Sequence, residues 1–421
     1  GRAAQSRLWS CPELRSLLPL GPAPVLAEVQ RALAPHLAAW AQNPRLGTAL
    51  LGGLACEGRP WTAVQVLRCM RDGALETNVF HFGAALSACE RRAAWELALD
   101  MLGTMAELGI PPNAVSCSAA VSACEKGGRW RWPLGLLNAL PSLDVPLDVV
   151  SCSATVSACE KGDRWHLALA LARAMPELQV APNVVSCSAA VSACERGGRW
   201  QLALALLRGM PENRVVPNAV SVNAAISACG RGGHWGPALE LLRSMPGLRA
   251  APTVVSWSAA ISACEAGGRW QLALALLHAM RDLRIVPNEV SCNAAISACE
   301  KGGQWDCVLG LLRAGKREGV LQTVITFNTV LRASNAQGHW GFAVGFLEEM
   351  RCSRLHGDAL TYDAAAGAMV AGARWDGLAG ISEDVNALLK KQIYKSRTCR
   401  RIADQRKAEA GVMSIRCRGG V

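Results

Sequence analysis

Cysteine is the residue type in this sequence with the most potential for chemistry. The chain has 18 cysteines and 7 histidines among 421 residues. Zinc sites need such ligands at short fixed spacings, for example C-x-x-C, and no C-x-x-C pair occurs. Eleven cysteines instead occupy two recurring positions that lie seven residues apart, as Cys187 and Cys194 do. This spacing puts both thiols on one helical face, so we expect free thiols that fill a core in a reducing compartment, with no metal and no cofactor.

Motifs for other kinds of catalysis are missing as well. The sequence contains no P-loop, no G-x-S-x-G and no H-E-x-x-H motif. We therefore expect the chain not to be an enzyme.

A tryptophan recurs at steps of 35 residues and shows how the chain is built. The register runs through nine residues: Trp95, Trp130, Trp165, Trp200, Trp235, Trp270, Trp305, Trp340 and Trp375. A fixed period between 20 and 50 residues is the signature of a solenoid.

One unit, residues 184–218, is numbered here from position 1 at Val184 to position 35 at Asn218. Positions 4, 7, 8 and 11 are apolar and predict a first helix, which Gly197-Gly198 ends. Leucine and alanine at helical spacing after Trp200 predict a second helix that ends near Pro211. Neither helix buries enough surface alone, so we expect neighbouring units to stack. We expect the tryptophan, at position 17, to pack between helix pairs rather than to stack on a base.

A 35-residue period of paired helices that opens with VVSCS or AVSVN and closes with PN resembles the pentatricopeptide repeat family, over about residues 79–375. The resemblance implies an all-α, right-handed α-solenoid that binds single-stranded RNA, one nucleotide per unit. The sequence departs from the family at position 4, where cysteine replaces the usual aromatic residue in four units; Phe327 and Tyr362 restore it. Some family members carry a deaminase-like domain, but its H-x-E and P-C-x-x-C motifs are missing after Trp375.

The resemblance also implies which residues touch RNA. Position 2 would pack on the base face, and its residues are Val115, Val150, Val185, Val220, Val255, Val290 and Ile325. Positions 5 and 35 would touch the base edge. These pairs are Ser118 with Asp148, Ser153 with Asn183, Ser188 with Asn218, Asn223 with Thr253, Ser258 with Asn288, Asn293 with Thr323, and Asn328 with Asp358. Without the resemblance, serine on a helix and asparagine after proline are ordinary helix and turn chemistry.

The pairing tendencies of the family, applied in order from Ser118, imply the RNA sequence G-A-A-Y-A-Y-U. Position 13 carries a row of cations, which we expect to contact phosphates: Arg91, Lys126, Lys161, Arg196, Arg231 and Lys301. The alternative is that Glu at position 12 balances these charges.

The units predict the domain organisation. A degenerate unit at 44–78 precedes units at 79–113, 114–148, 149–183, 184–218, 219–253, 254–288, 289–323, 324–358 and 359–393, and a basic tail follows at 394–421. Residues 1–43 are rich in arginine and poor in acids, which fits either the remnant of an organelle transit peptide or a capping helix over 25–40. The chain begins at Gly1, so we expect a fragment or a processed form.

The net charge of +11 suits a polyanionic partner, and no uncharged apolar run is long enough to span a membrane. The resemblance implies an organellar protein, in a chloroplast or mitochondrion, that binds single-stranded RNA during RNA processing, stabilisation, splicing or translation. We expect it to be a monomer, with RNA-processing proteins as further partners. The competing hypothesis is a helical-repeat scaffold that binds a protein segment.

Overall fold

The computed structural model describes residues 12–21, 24–36, 40, 43–73, 75, 77–317, 319 and 323–371. Within these residues the regular elements are helical, which confirms the predicted all-α class. The α-helices are α1 Pro12–Leu17, α2 Leu26–Leu33, α3 Pro44–Glu57, α4 Pro60–Asp72, α5 Val79–Arg92, α6 Trp95–Glu107, α7 Ala114–Lys126, α8 Arg131–Ala139, α9 Val149–Lys161, α10 Trp165–Ala174, α11 Val184–Arg196, α12 Trp200–Gly209, α13 Ala219–Arg231, α14 Trp235–Ser244, α15 Val254–Ala266, α16 Trp270–Asp282, α17 Glu289–Lys301, α18 Trp305–Arg317, α19 Val324–Ala336, α20 Trp340–Cys352 and α21 Ala359–Ala371. One 3₁₀ turn covers Pro141–Leu143.

The first helix of each unit is bounded by local sequence signals. In α11, the side chain of Asn183 accepts a hydrogen bond from the amide of Ser186 and so caps the N-terminus. The helix ends at Arg196, and Gly198 then adopts a left-handed conformation with φ of 65°. Glycine takes this conformation without steric cost, so the chain can turn directly into the second helix.

Proline sets the length of the second helix. Pro176, Pro211 and Pro246 stand at position 28, and the helices that precede them, α10, α12 and α14, have 10 residues each. Position 28 is Arg281 or Arg351 in α16 and α20, which reach 13 residues. The expectation that proline helps to end the second helix is confirmed, because proline cannot continue the backbone hydrogen bonding.

The chain forms two compact units. The first comprises the described residues up to Gly232 together with Glu240–Ala251. In it, the first helices α3, α5, α7, α9, α11 and α13 pack each against the next, and second helices such as α12 lie between two of them.

The second compact unit comprises Gly233–Leu239 and the described residues from Pro252 onwards. It repeats the arrangement with α15, α17, α19 and α21. Stacked helix pairs of this kind are the predicted solenoid architecture.

Small side chains make this close stacking possible. Ala190 and Cys194 of α11 are fully buried, and Leu207 of α12 and Met210 at its C-terminal end are buried as well. None of the described helices is long and apolar enough to cross a membrane. Trp375, the end of the predicted unit 359–393 and the tail 394–421 lie outside the described residues, and the predicted domain boundaries stay predictions.

Candidate nucleic-acid interface

The side chain at position 2 is exposed in every regular unit of the described chain. Val115, Val150, Val185, Val220, Val255, Val290 and Ile325 are between 56% and 63% exposed. Phe80 and Leu360, at the same position of the flanking units, are exposed by 72% and 67%, and they extend the row beyond the residues predicted from the sequence. A single exposed valine is unremarkable, whereas apolar side chains exposed at one recurring position are a candidate binding surface.

Positions 5 and 35 meet, although they lie thirty residues apart. The hydroxyl of Ser153 donates to Oδ1 of Asn183 at 3.2 Å. Ser188 donates to Asn218 at 3.4 Å, and Ser258 donates to Asn288 at 3.1 Å. In the last pair, Nδ2 of Asn328 donates to Asp358 at 3.1 Å. Four of the seven predicted base-reading pairs are thus joined by a side-chain hydrogen bond.

The other three pairs differ. The Ser118 hydroxyl donates to the carbonyl of Val115 at 3.1 Å rather than to Asp148. Oδ1 of Asn293 accepts from Thr326 at 2.7 Å rather than from Thr323. Asn223 and Thr253 fall in different compact units.

The residue at position 35 also caps the next first helix, and the cap orients its side chain. Oδ1 of Asn183 accepts from the amide of Ser186 at 2.8 Å, and Asp148 accepts from the amide of Ser151 at 2.8 Å. Because Oδ1 of asparagine is engaged in this way, Nδ2 remains as a hydrogen-bond donor. In aspartate, the corresponding atom is an acceptor oxygen.

Asp358 shows the aspartate case in detail. Burial acts to raise its pKa, but hydrogen bonds from Thr361 and Asn328 outweigh it, and the pKa lies below the usual value. The carboxylate is therefore ionised at neutral pH and accepts hydrogen bonds only.

Each cation at position 13 except Arg91 pairs with an acid of the preceding unit. Nζ of Lys161 lies 2.7 Å from Glu125, and Nζ of Lys126 lies 2.9 Å from Glu90. The corresponding distances are 3.7 Å for Arg196 with Glu160, 3.4 Å for Arg231 with Glu195 and 3.1 Å for Lys301 with Glu265. Arg91, which faces the degenerate unit, donates to the carbonyl of Cys56 at 3.2 Å.

The unit that lacks a cation at position 13 shows that the pairing of this glutamate with a cation of the next unit is systematic. Position 13 of the unit 324–358 is Ala336, so Glu300 lacks its usual partner there, and Arg332 at position 9 pairs with Glu300 at 3.2 Å instead. Phosphate contact by the position-13 cations stays a prediction, and any phosphate must compete with a glutamate for each of these five cations.

The tryptophan at position 17 joins neighbouring units. A Cβ built on Gly197 would lie 2.6 Å from Cδ1 of Trp165, which leaves room for glycine alone. Above the same indole, the guanidinium of Arg199 lies 5.0 Å from the ring centroid, a cation–π contact. The same glycine contact occurs between Gly127 and Trp95, Gly162 and Trp130, Gly267 and Trp235, and Gly302 and Trp270. The indole of one repeat thus packs against a glycine of the next repeat. This confirms the expectation that the tryptophan packs between helix pairs.

Ten of the eleven recurring cysteines are buried core residues, and Cys187 is half-buried. Burial raises the pKa of the Cys124, Cys159 and Cys194 thiols to about 11, so these groups are neutral thiols at physiological pH. Among the described residues, no group of three or more histidine, cysteine or acidic side chains is arranged to hold a metal ion.

Comparison with solved structures shows a related fold. The chain resembles the pentatricopeptide repeat protein PPR10 from maize with a TM-score of 0.52 and 19% identity, over 86% of this chain and 59% of that protein. The chain thus spans less than two thirds of the length of PPR10. PPR10 in complex with an 18-nt psaJ RNA element gives a TM-score of 0.44 and 19% identity, over 85% of this chain and 58% of that chain. The pentatricopeptide repeat domain of Arabidopsis thaliana protein-only RNase P 1 in complex with tRNA gives a TM-score of 0.37 and 14% identity, over 41% of this chain and 90% of that chain.

Sequence comparison identifies the repeats themselves. Curated protein sequences give no match. A family model described as pentatricopeptide repeat domain matches residues 170–232. A second model, described as PPR repeat, matches residues 220–249, 255–285, 290–320 and 325–355, in the register of the helix pairs. Together with the 35-residue period and the stacked helix pairs, these matches show that the chain belongs to the pentatricopeptide repeat family.

Proposed function

We propose that this chain binds single-stranded RNA and selects its sequence with one nucleotide per repeat. The observation that carries the proposal is the recurrence, in one unit after another, of an exposed aliphatic side chain at position 2 beside a polar pair at positions 5 and 35. The aliphatic side chain can cover a base face by dispersion and burial, and the polar pair can bond its edge. The RNA complex solved for PPR10 is consistent with this function.

The hydrogen bonds of the polar pairs supply a physical basis for base choice. Oδ1 of Asn183 accepts from both Ser186 and Ser153, so Nδ2 is the donor left to a base. Ser153, which donates to Asn183, keeps lone pairs that can accept a hydrogen bond. This combination complements adenine, whose Watson–Crick edge offers an amino donor and the N1 acceptor.

Aspartate at position 35 has the opposite preference. The ionised carboxylate of Asp358 accepts from the N3–H of uracil, and Asp148 accepts from the N1–H and amino group of guanine. These pairings favour G-A-A-Y-A-Y-U as the bound sequence, read from Ser118 to Asp358.

In the cell, this binding would serve organellar RNA processing, stabilisation, splicing or translation. We propose that the protein acts by binding rather than by catalysis, as a roadblock, a remodeller of RNA structure or an adaptor for RNA-processing proteins. A chloroplast or mitochondrial location is part of this proposal and is tested by imaging a tagged full-length protein.

The deciding experiment is selection of bound sequences from a random single-stranded RNA pool near physiological salt. We expect enrichment of a motif that matches G-A-A-Y-A-Y-U. If no motif is enriched and affinity is weak, the proposal fails and the protein-binding scaffold becomes the better explanation.

A further inference from the structure

The C-terminal ends of the second helices and the turns that follow them carry arginines that have no ionic partner among the described residues. In the first compact unit these are Arg173, Arg208 and Arg243 at position 25, and Arg214 and Arg249 at position 31. All five are exposed, and none lies within ion-pair distance of an acid of the described chain. We call this set the second-helix edge. It contrasts with position 13, where nearly every cation is paired.

Acidic residues are present nearby but do not neutralise the edge. Glu177 follows Arg173 by four residues and Glu212 follows Arg208 by four. Both acids lie beyond the ends of their helices, at Ala174 and Gly209, and neither forms an ion pair. Glu240 of α14 is a third exposed acid, and five arginines against three glutamates leave the second-helix edge positively charged.

The residue at position 31 is not chosen for its backbone conformation alone. Arg214 and Arg249 have φ of 58° and 57°, in the left-handed region that favours glycine. Each repeat has a second left-handed position, position 15, and there the chain uses glycine in six of eight units, for example Gly198 and Gly233. At position 31 it uses glycine only at Gly109 and Gly319, places arginine in four units, and has Asp144 and Gln179 in the other two. Strained residues without a structural role often belong to functional sites.

Exposed leucines accompany the arginines. Leu143 and Leu178, at position 30 of successive units, are 44% and 40% exposed. Between α10 and α12 lies a groove with apolar walls that include Ala172 and Leu206, with the position-4 residue Cys187 in its lining and Arg173 among its lining residues. In the second compact unit the larger position-4 residue Phe327 is fully buried and packs near Phe346. The smaller Cys187 leaves space that an apolar side chain of a partner can enter.

We propose that the second-helix edge is a docking surface for a protein partner, specifically an acidic segment that carries apolar side chains. The unpaired guanidiniums complement carboxylates, and the exposed leucines and the groove complement apolar anchors; exposed apolar surface rimmed by arginine is typical of protein interfaces. Phosphate contacts would make no use of the exposed leucines or of the apolar groove, so these features favour a protein segment over a nucleic acid at this edge. RNA and the protein partner would therefore bind different residues of the same repeats.

The test is selection on the full-length protein from a displayed library of random peptides of roughly fifteen residues. We expect the enriched peptides to be rich in aspartate, glutamate and large apolar residues. For the best synthetic peptide, the dissociation constant should rise about tenfold or more with Arg208→Glu/Arg214→Glu and also with Leu143→Ser/Leu178→Ser. The matched charge control is Arg15→Glu/Arg31→Glu, two exposed arginines of α1 and α2, which should change it less than threefold.

A second variant separates binding from stability. Arg214→Gly/Arg249→Gly removes the backbone strain of two arginines in the left-handed conformation. The melting temperature should therefore stay the same or rise while peptide affinity falls. The proposal is overturned if the enriched peptides are not acidic, if Arg15→Glu/Arg31→Glu weakens binding as much as the edge variant, or if a single-stranded G-A-A-U-A-U-U RNA displaces the peptide. The last result would assign the edge to RNA.

Discussion

The hydroxyl of Ser153 donates a 3.2 Å hydrogen bond to Oδ1 of Asn183, and the same oxygen accepts the amide of Ser186 at 2.8 Å. One asparagine therefore links two successive first helices and starts the second of them. Its Nδ2 atom is the donor that these bonds leave, and it is the atom that the proposed function assigns to an RNA base. The bonds that cap the helix therefore also fix the orientation of this donor.

Replacing Asn183 by Asp exchanges this donor for an acceptor, while either side chain can cap the helix. We expect the preference at the second base of G-A-A-Y-A-Y-U to shift from A to G by about tenfold, since one base contact contributes about 1–3 kcal/mol. The measurement is the affinity for two RNAs that differ at that base only. The control is Asn213→Asp, an exposed position of the next repeat outside the predicted reading pairs. Retention of the preference for A would show that the assumed register is wrong.

Val220 tests the exposed row at position 2. Its substitution by Ser should weaken RNA binding about three- to tenfold, because one apolar side chain no longer covers a base. The unfolding free energy should change by less than about 0.5 kcal/mol, since the side chain is 59% exposed. Val216→Ser is the matched control, because Val216 is 60% exposed but stands at position 33. Equal losses for both variants would contradict a special role for position 2.

Gly197 tests the contact between repeats. A methyl group there would lie 2.6 Å from the indole of Trp165, and we expect Gly197→Ala to destabilise the protein by about 1–3 kcal/mol. Gly103 lies inside α6, where an added methyl group would meet no packed neighbour within 4 Å, so Gly103→Ala should be neutral or stabilising by up to about 1 kcal/mol. Urea unfolding of the two variants gives the comparison. A harmless Gly197→Ala would mean that the tryptophan does not hold the repeats together.

Glu125 tests whether position 13 serves RNA. Glu125→Gln removes the 2.7 Å partner of Lys161 and frees the cation, so RNA affinity should increase a few-fold and its salt dependence should become steeper. Lys161→Gln should reduce the slope of the salt dependence by about one. Glu177→Gln removes the same charge without releasing a paired cation and serves as the control. Unchanged RNA binding in Glu125→Gln would leave the cation with a structural role only.

The buried thiols predict sensitivity to alkali. Burial raises the pKa of Cys124, Cys159 and Cys194 from 9.0 to about 11. The unfolded chain therefore releases these protons at lower pH than the folded chain does. The stabilisation is complete below pH 9 and is lost as the pH rises towards about 11, by up to about 1.4 kcal/mol per pH unit for each thiol.

Urea midpoints at about pH 8 and pH 10 measure this loss. Cys194→Ala should reduce the pH dependence, whereas Cys352→Ala, at an exposed position, should leave it unchanged. A pH dependence that stays the same in Cys194→Ala would argue against burial of that thiol.

Local signals in the sequence were sufficient for the helix pairs and for the repeat register. The cap at Asn183, the break at Gly198 and the early end of α12 before Pro211 depend only on residues a few positions away, so they can be read from the chain itself. The burial of Cys152 and Cys159 on one face followed from helical periodicity for the same reason. The family resemblance, rather than periodicity, singled out Ser153 and Asn183 as a pair.

Only the tertiary structure showed which side chains of neighbouring repeats contact each other. Lys161 and Glu125 lie 36 residues apart, Trp165 and Gly197 lie 32 apart, and neither contact follows from the periodicity of one helix. The same holds for the exposure of Val220 and for the unpaired state of Arg214, because both depend on how neighbouring helix pairs stack. Helix formation is governed by interactions within a turn or two of the backbone, whereas surface exposure and charge pairing in a solenoid are fixed only when the next repeat is in place.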